Sequence, residues 1–344
     1  MGSVKDLEVL EGASDNQAGR GRFIFSDRYS VFDWGEMPDH IPNKGKSLCL
    51  VSAYFLESLE SKGIKTHYLG LVEDGEVKRL GEIDAPSGTM EFKLLRVIEP
   101  TEREGAFDYS VFGQERTNLL IPLEVIYRNA LPPGSSVFKR LKDGSLKLEE
   151  IGLGKMPQPG QVLDGALIDF STKLEPSDRY LSLEEAKRIC DLSDDELENI
   201  RETTLIANDM ISEESGRLGL FNEDGKMEFG FDSDRNLMLV DALGTLDECR
   251  FTFDGFPVSK EVARIHYRKT DWFQDVEKAK KIDAVNWKSL VESSPPPLPE
   301  ELLRSISLVY MAYANEITGR ELFDAPSLKE PLQVIRDFLQ TGSG

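Results

Sequence analysis

Short runs of alternating apolar and polar residues dominate the first 120 residues, a pattern that predicts β-strands. The clearest runs are Arg22 to Ser26, His67 to Val72 and Met90 to Ile98. Between the first two, the segment from Lys46 to Lys62 has helical periodicity, and Gly63 follows it as a stop signal. Its apolar stripe consists of Leu48, Val51, Phe55 and Leu59. We therefore expect an antiparallel sheet packed with one helix.

The pattern changes after this sheet. Residues 99–117 are polar and rich in turn formers, and the apolar run 118–127 follows them. Pro122 lies inside that run and cannot donate to a sheet, so it favours a strand start or a hinge over a central strand. These features predict an N-terminal lobe over residues 1–120 and a C-terminal lobe over residues 121–344.

Helical signals are frequent in the second lobe. Ser182 with Glu185, and Ser193 with Glu196, have the spacing of capping boxes. Helical periodicity over 259–290, a proline-rich connector over 293–301 and a last amphipathic helix over 328–339 predict a helical extension over 259–344. Between the connector and the last helix, one face of a buried helix is predicted from Leu302, Ile306, Val309, Tyr310, Tyr313 and Ile317.

The stretch from Asp224 to Asp241 predicts a hairpin with chemistry at one end. Lys226 and Glu228 share one face of its first strand, because alternate residues of a strand point the same way. The turn over 232–235 leads to the apolar return strand over 237–240, which ends at Asp241. Two carboxylates beside a lysine suit Mg²⁺ bound to a polyphosphate. The alternative is that these residues form only a solvated strand face.

Composition limits the partners. The chain has 344 residues, 40% of them hydrophobic and 30% charged, which is enough for one large or two ordinary domains with a core. The formal net charge of −21 should repel nucleic acid and anionic membranes, so we expect neither as a partner. A phosphate site in this protein therefore needs several cations placed together. The oligomeric state stays open, and a homo-oligomer is compatible with the sequence.

Cysteines and tryptophans add little chemistry. The cysteines and histidines show no metal-ligand spacing, and neither a signal peptide nor an apolar run long enough to span a membrane is present. Reduced thiols and a cytoplasmic location are therefore expected. We expect packing rather than base stacking from Trp34, Trp272 and Trp287.

A donor-rich segment follows the hinge. Arg128, Ser135, Ser136, Lys139 and Arg140 lie close together in the sequence, and Arg and Ser are suitable donors for a phosphomonoester. A solvent-facing loop is the alternative.

Two other segments have competing interpretations. Arg250 is a further donor for the phosphomonoester, or a salt-bridge partner of Asp247 or Glu248. The glycine–arginine repeat over 19–22 is a rival phosphate cradle, but such a repeat is more often a basic turn.

Five segments in order resemble the SAICAR (phosphoribosylaminoimidazole-succinocarboxamide) synthetase family, in an archaeal-like form. They are SDRYSVFD (26–33), IPLEVIYRNALPPGSSVFKRL (121–141), TKLE (172–175), DGKMEFG (224–230) and DECRF (247–251). The resemblance covers residues 1–275 in interrupted blocks. It implies an α+β, two-lobed ATP-binding fold with antiparallel sheets, flanking helices and a cleft between the lobes.

The resemblance also implies the reaction. ATP, with Mg²⁺, activates the carboxylate of carboxyaminoimidazole ribotide as an acyl phosphate, and L-aspartate displaces the phosphate to give SAICAR and ADP in purine biosynthesis. Two alternatives remain at this point: a small-molecule kinase of the same fold, and a non-catalytic nucleotide-binding regulatory protein.

Site residues follow from the matched segments. Lys226, Glu228 and Asp241 are the expected catalytic residues, and Glu228 and Asp241 are also the expected ligands of Mg²⁺ and ATP. The remaining ATP contacts expected are Gly2, Ser3, Val4 and Lys5, in a loop over the phosphates, and Leu120, in the adenine slot. The expected substrate-binding residues are Arg128, Ser135, Ser136, Arg250, Asp33, Lys44 and Lys173.

The chain departs from the family pattern in three places. Ser3 stands where many relatives have a lysine, and Ala242 stands where many have a second acidic residue. Asn222 and Glu223 occupy positions that are usually apolar, so we expect the first strand of the hairpin to be shortened.

Overall fold

The structure is a computed structural model that describes residues 4–103, 105–113, 116–258, 260–283 and 286–341. Its two large sheets are antiparallel and flanked by helices, so the expected α+β class is confirmed. The first sheet uses residues 5–94 and the second uses residues 119–257. Where the lobes divide, at 120/121, stays a prediction.

The N-terminal sheet has the strand order β1-β2-β5-β3-β4. Its strands are β1 (Lys5–Glu11), β2 (Gly19–Phe25), β3 (Tyr68–Glu73), β4 (Glu76–Lys78) and β5 (Thr89–Leu94). The three predicted strands are therefore found, with ends shifted by one to four residues. The expected phosphate loop at the N-terminus is instead the edge strand β1, in which Lys5 pairs with Phe25. Gly2 and Ser3 lie outside the described residues.

Helix α1 (Lys44–Ser61) lies between β2 and β3. Asp27 stabilises its start, because the carboxylate accepts hydrogen bonds from the backbone N–H groups of Asn43 (3.1 Å) and Gly45 (2.9 Å). Gly63 follows the helix with a φ of +83°, a conformation that favours glycine. The predicted helix and its stop signal are thus confirmed.

The C-terminal sheet is built around one long strand. Its order is β11-β10-β9-β12-β14-β15, and β8 and β13 also pair with β12. The strands are β8 (Leu119–Leu120), β9 (Leu123–Leu131), β10 (Gln161–Thr172), β11 (Tyr180–Leu181), β12 (Leu220–Phe231), β13 (Leu237–Val240), β14 (Cys249–Phe253) and β15 (Phe256–Pro257). A separate hairpin, β6 (Thr101–Arg103) with β7 (Ala106–Asp108), links the two sheets in sequence.

The expectation of a shortened first hairpin strand is wrong, since β12 begins at Leu220 and spans 12 residues. Asn222 is buried in it and has polar partners that the local sequence does not reveal. Its amide donates to Ser212 (2.9 Å) and Asn208 (3.2 Å), and its carbonyl accepts from Tyr127 (3.2 Å). A buried amide is tolerated because its hydrogen bonds are made.

Helices cover the second sheet and continue to Thr341. They are α2 (Ser136–Asp143), α3 (Leu183–Ile189), α4 (Asp194–Arg217), α5 (Glu261–Tyr267), α6 (Asp271–Ile282), α7 (Glu300–Thr318) and α8 (Lys329–Thr341). Short 3₁₀ turns occupy Leu80–Glu82, Ser110–Gly113, Glu149–Ile151 and Trp287–Leu290. Ser193 and Glu196 form the predicted capping box of α4. At α3, Ser182 accepts the Glu185 N–H at 3.2 Å.

The C-terminal helices pack back onto the N-terminal lobe. All six residues of the predicted α7 face are buried, and α7 lies against α1. Trp34 packs edge-on against Trp272, with ring centroids 5.4 Å apart, and against Trp287 at 6.0 Å, which confirms the packing role. Within the described ranges, no helix is both long and apolar enough to cross a membrane.

Candidate active site

The β12–β13 hairpin places its charged residues at the meeting point of the two sheets. Glu228 pairs with Val240, so Asp241 follows directly at the end of the return strand. Asp241 has a φ of +68°, which ends the strand, and its carboxylate accepts a hydrogen bond from the Ala242 N–H at 2.8 Å. The hairpin touches the N-terminal lobe here, because the His67 N–H donates to the Leu239 carbonyl at 3.0 Å.

Lys5 joins β1 to this hairpin. Its ammonium group hydrogen-bonds the Asp241 carboxylate and lies 4.5 Å from the centroid of the Phe23 ring. Burial alone would raise the pKa of Asp241, but Lys5 and the more distant Lys173 and Lys226 lower it well below its ordinary value. Asp241 is therefore ionised in the folded protein.

Glu228 and Lys226 extend the same group of charges. Lys173 Nζ lies 2.5 Å from Glu228 Oε1. Lys226 Nζ lies 2.8 Å from Glu124, 3.6 Å from Glu228 and 3.7 Å from Glu248. We call Lys5, Lys173, Lys226, Glu124, Glu228, Asp241 and Glu248 the lysine cluster.

Burial sets the protonation of Glu228. Burial and the Asp241 charge raise the pKa of Glu228 to about 7, and the neighbouring lysines oppose that shift only in part. For Lys226 the opposite balance holds, since Glu248, Glu228 and Glu124 outweigh burial and raise the pKa of its ammonium group. The cluster therefore contains a carboxylate that titrates near neutral pH.

The donor set fits a magnesium ion bound to a nucleotide. Glu228 and Asp241 offer hard oxygen ligands, and Mg²⁺ commonly takes one or two carboxylates together with substrate phosphates. Among the residues that the structure describes, no group of three or more His, Cys, Asp or Glu side chains could hold a metal alone. The three lysines can in turn neutralise phosphate oxygens.

Leu120 lies beside this cluster in a small apolar group. It packs against Leu95, Met238 and Val240, and Val240 precedes Asp241 in sequence. Strand β8, which contains Leu120, pairs with Gly230 and Phe231 of β12. The structure thus provides apolar surface next to the lysine cluster, where an adenine ring is expected.

A second group of charges lies on the same face of the sheet. Asp224 is two residues before Lys226 and is opposite Arg128 on β9 and Arg250 on β14. Arg250 Nε donates to Asp224 at 2.6 Å, and Arg128 Nη1 lies 3.4 Å from Asp224. The alternative partners expected for Arg250, Asp247 and Glu248, are therefore wrong, because the strand register favours Asp224.

Asp169 and Tyr180 complete this group and were not predicted, whereas Arg140 belongs to the donor-rich segment found in the sequence. Arg128 Nη2 and Arg140 Nη1 reach Asp169 at 3.2 and 2.6 Å, and Arg128 Nη2 also donates to the Tyr180 hydroxyl at 3.3 Å. We call Arg128, Arg140, Arg250, Asp169, Asp224 and Tyr180 the arginine cluster. Sequence spacing could not reveal Asp169 or Tyr180, because β-pairing across long loops brings them here.

The structure distinguishes the two candidate serines. Ser135 caps α2, since its hydroxyl accepts the Val137 N–H at 3.4 Å. Ser136 Oγ instead accepts a hydrogen bond from Arg128 Nη2 at 3.1 Å. Ser136 is therefore the serine that belongs with the arginine cluster.

One cleft of about 250 Å³ adjoins both clusters. Its walls come from β9, β11, β12, β14 and α5, and therefore from the C-terminal part of the chain. It is lined by Ile126, Arg128, Tyr180, Asp224, Gly225, Lys226, Asp247, Glu248, Cys249, Arg250, Lys260 and Arg264. A ligand in this cleft could touch Arg128 or Arg250, which suit a phosphate, and at the same time Lys226 of the lysine cluster.

Of the seven candidate substrate residues, Arg128 and Arg250 line this cleft, and the other five do not. Ser136 touches it only through Arg128, and Lys173 lies beside Glu228. Lys44 is fully buried at the start of α1, where its ammonium group lies 2.7 Å from Asp247. Asp33 is exposed on a loop, 3.5 Å from Lys280 Nζ. The glycine–arginine repeat over 19–22 is strand rather than cradle, and Arg20 and Arg22 bind Glu91.

A family model described as SAICAR synthetase matches residues 13–278. A protein from Archaeoglobus fulgidus, provisionally named phosphoribosylaminoimidazole-succinocarboxamide synthase, is 52% identical over 340 residues, which are 99% of this chain and 100% of that protein. The synthase of that name from Thermoplasma acidophilum is 33% identical over 306 residues, covering 87% and 93% of the two chains.

Solved structures share the fold. A SAICAR synthase from Saccharomyces cerevisiae, complexed with SAICAR, superposes with a TM-score of 0.61 at 22% identity and covers 93% of each chain. A SAICAR synthetase in complex with ADP superposes with a TM-score of 0.55 at 22% identity, covering 87% of this chain and 99% of the other.

Proposed function

The chain belongs to the SAICAR synthetase family, and from that premise we propose how its two charge clusters divide the reaction. It is a phosphoribosylaminoimidazole-succinocarboxamide synthase, a ligase of de novo purine biosynthesis. The observation that carries the proposal is the single cleft lined by Lys226 together with Arg128 and Arg250.

We assign ATP to the lysine cluster. A SAICAR synthetase of similar fold has been solved in complex with ADP, which supports nucleotide binding here. Lys5 and Lys226 hold phosphate oxygens, Leu120 and its apolar neighbours receive the adenine, and Glu228 with Asp241 would hold Mg²⁺. The ion would neutralise charge on the transferring phosphoryl group.

We assign the ribotide to the arginine cluster. Arg250, Arg128 and Ser136 bind its 5′-phosphate, exchanging part of their present bonds to Asp224 for charge-assisted bonds to the ligand. With the phosphate held there, the ribotide carboxylate points along β12 toward Lys226. Lys173, now paired with Glu228, is the next cation along that line.

The reaction then takes place in two steps, phosphoryl transfer and displacement of phosphate by the amine. A ribotide carboxylate oxygen attacks the γ-phosphorus of ATP, forming a C–O–P link as the bond to ADP breaks. The amine of L-aspartate attacks the resulting carbonyl carbon, so that a C–N bond forms, the C–O bond to phosphate breaks and the amine loses a proton. In both steps negative charge develops on oxygen atoms, and cations that are already in position stabilise that charge.

An isotope experiment tests this assignment. Ribotide with ¹⁸O in its carboxylate should transfer one label to inorganic phosphate, and product formation should require both ATP and L-aspartate. ADP formation that is independent of L-aspartate, with unlabelled phosphate and a stable phosphorylated ribotide, would instead establish a kinase. Omitting the ribotide is the control for background ATP hydrolysis.

A further inference from the structure

One wall of the cleft carries two cations that neither cluster uses. The cations that line the cleft are Arg128, Lys226, Arg250, Lys260 and Arg264. The first three have roles in the assignment above. Lys260 and Arg264 come from a different element, the start of α5, and face the same space.

Each of these two side chains forms one ion pair, and both pairs are long. Lys260 Nζ lies 3.5 Å from Asp247, and Arg264 Nη1 lies 3.3 Å from Glu261. Their side chains are 27% and 35% exposed, so both are accessible to a ligand in the cleft. Arg128, by comparison, is buried between two carboxylates.

Asp247 has partners other than Lys260. Lys44 Nζ lies 2.7 Å from its Oδ2, and the Tyr310 hydroxyl donates to its Oδ1 at 2.6 Å. Both partners are buried, which holds Asp247 in place. Lys260 can therefore turn to an incoming anion without leaving a buried carboxylate unpaired.

The helix that presents these cations is itself fixed. Val262, Ala263 and Tyr267 of α5 are buried, and the Tyr267 hydroxyl lies 2.8 Å from that of Tyr29. Lys260 and Arg264 are four residues apart, a spacing that brings side chains together on one side of a helix. The wall is thus a preformed pair of positive charges one helical turn apart.

We propose that Lys260 and Arg264 bind the two carboxylates of L-aspartate. This inference rests on the proposed function, which requires a dianionic amine donor in the same cleft as the ribotide. The paired cations match the two carboxylates, whereas the amine must stay free and face the ribotide carboxylate. In a protein with a net charge of −21, two cations with long ion pairs on one cleft wall favour an anionic ligand.

The test uses Lys260→Gln and Arg264→Gln in the full-length protein. Each should raise the KM for L-aspartate roughly ten- to a hundredfold, the effect of losing one charge-assisted bond. The KM values for ribotide and ATP should change by less than about twofold, because those ligands are held elsewhere. Succinate, which has both carboxylates but no amine, should compete with L-aspartate, and its inhibition constant should rise in parallel.

Arg268→Gln is the matched control. Arg268 lies one turn further along the chain from Arg264 and binds the same Glu261, at 2.5 Å, but it does not line the cleft. The control should keep the wild-type KM for L-aspartate. Arg264→Lys, which restores the charge, should recover part of the affinity and excludes misfolding as the cause.

Two results would overturn the inference. An unchanged KM for L-aspartate in both glutamine variants would remove the pair from this subsite. A rise in the ribotide KM alone would assign the pair to the 5′-phosphate. If the wild-type protein itself makes no product from ribotide, ATP and L-aspartate, the proposed function fails, and that outcome is distinct from either of these.

Discussion

The lysine cluster and the arginine cluster share strand β12 but are built in different ways. Asp224 belongs to one cluster and Lys226 and Glu228 to the other, at alternate positions on one face. The arginine cluster takes its main partners from strands of the same sheet. The lysine cluster also depends on Lys5, which comes from the N-terminal sheet, 236 residues away in sequence from Asp241.

This difference has consequences for stability and for catalysis. Partners on neighbouring strands are positioned by the sheet register, so the arginine cluster needs only the C-terminal sheet and α2, which carries Arg140. The lysine cluster is complete only when the two lobes are together. We infer that the arginine cluster is a rigid anchor, whereas the lysine cluster is sensitive to ligands and to pH.

Removing Arg128 should have the largest effect. Arg128→Ala leaves the buried Asp169 and Asp224 short of a partner, which should lower the free energy of unfolding by about 3–5 kcal/mol. Lys173→Ala in the lysine cluster should cost less, because Glu228 can take up a proton. Urea denaturation at pH 7 measures the free energy of unfolding of both variants. Equal losses in the two variants would contradict the idea that the arginine cluster is the more rigid of the two.

Asp241→Asn should have the next largest effect, on turnover. Loss of this ionised carboxylate should reduce kcat roughly a hundred- to a thousandfold, the scale seen for one preorganised catalytic group. The fold should survive, since the amide can still accept the Ala242 N–H. Asp234→Asn, in the exposed turn of the same hairpin, is the control. Wild-type activity at limiting Mg²⁺ would show that Asp241 is not a metal ligand.

Arg250→Gln should weaken ribotide binding with less structural damage than Arg128→Ala, because Arg250 is only half-buried. Losing a charge-assisted bond should raise the ribotide KM roughly ten- to a hundredfold and leave the ATP KM unchanged. Initial-rate kinetics with each substrate varied measures this. An equal rise in both constants would indicate a general disturbance rather than loss of a phosphate contact.

The pH dependence of Glu228 should give the smallest effect. Its pKa is raised to about 7, so between its ordinary value of 4.5 and pH 7 the folded state holds a proton that the unfolded state has lost. Stability contributed by this group therefore falls as pH rises. Relative to Glu228→Gln, the wild type should lose about 2 kcal/mol between pH 5 and pH 7 in urea denaturation. A relative gain would show that Lys173 keeps Glu228 ionised.

Much of the fold could be predicted from local patterns. The β12–β13 hairpin, the stop of α1 at Gly63, the capping box of α4 and the buried face of α7 follow from periodicity and end signals. Two errors came from local reasoning. Residues 5–11 form an edge strand rather than a loop, and β12 is long because a distant network satisfies Asn222.

The sequence by itself determined which residue types face one way on β12, because alternation along a strand is a local property. It also determined the family, through motifs of fixed local spacing. Only the tertiary structure decided the partners. Arg250 pairs with Asp224, Arg128 donates to Ser136 rather than Ser135, and Glu228 pairs with Lys173. The tertiary structure also buries Lys44 beside Asp247. These choices depend on strand register and on burial. Both arise when distant segments pack together, and no local pattern in the sequence encodes them.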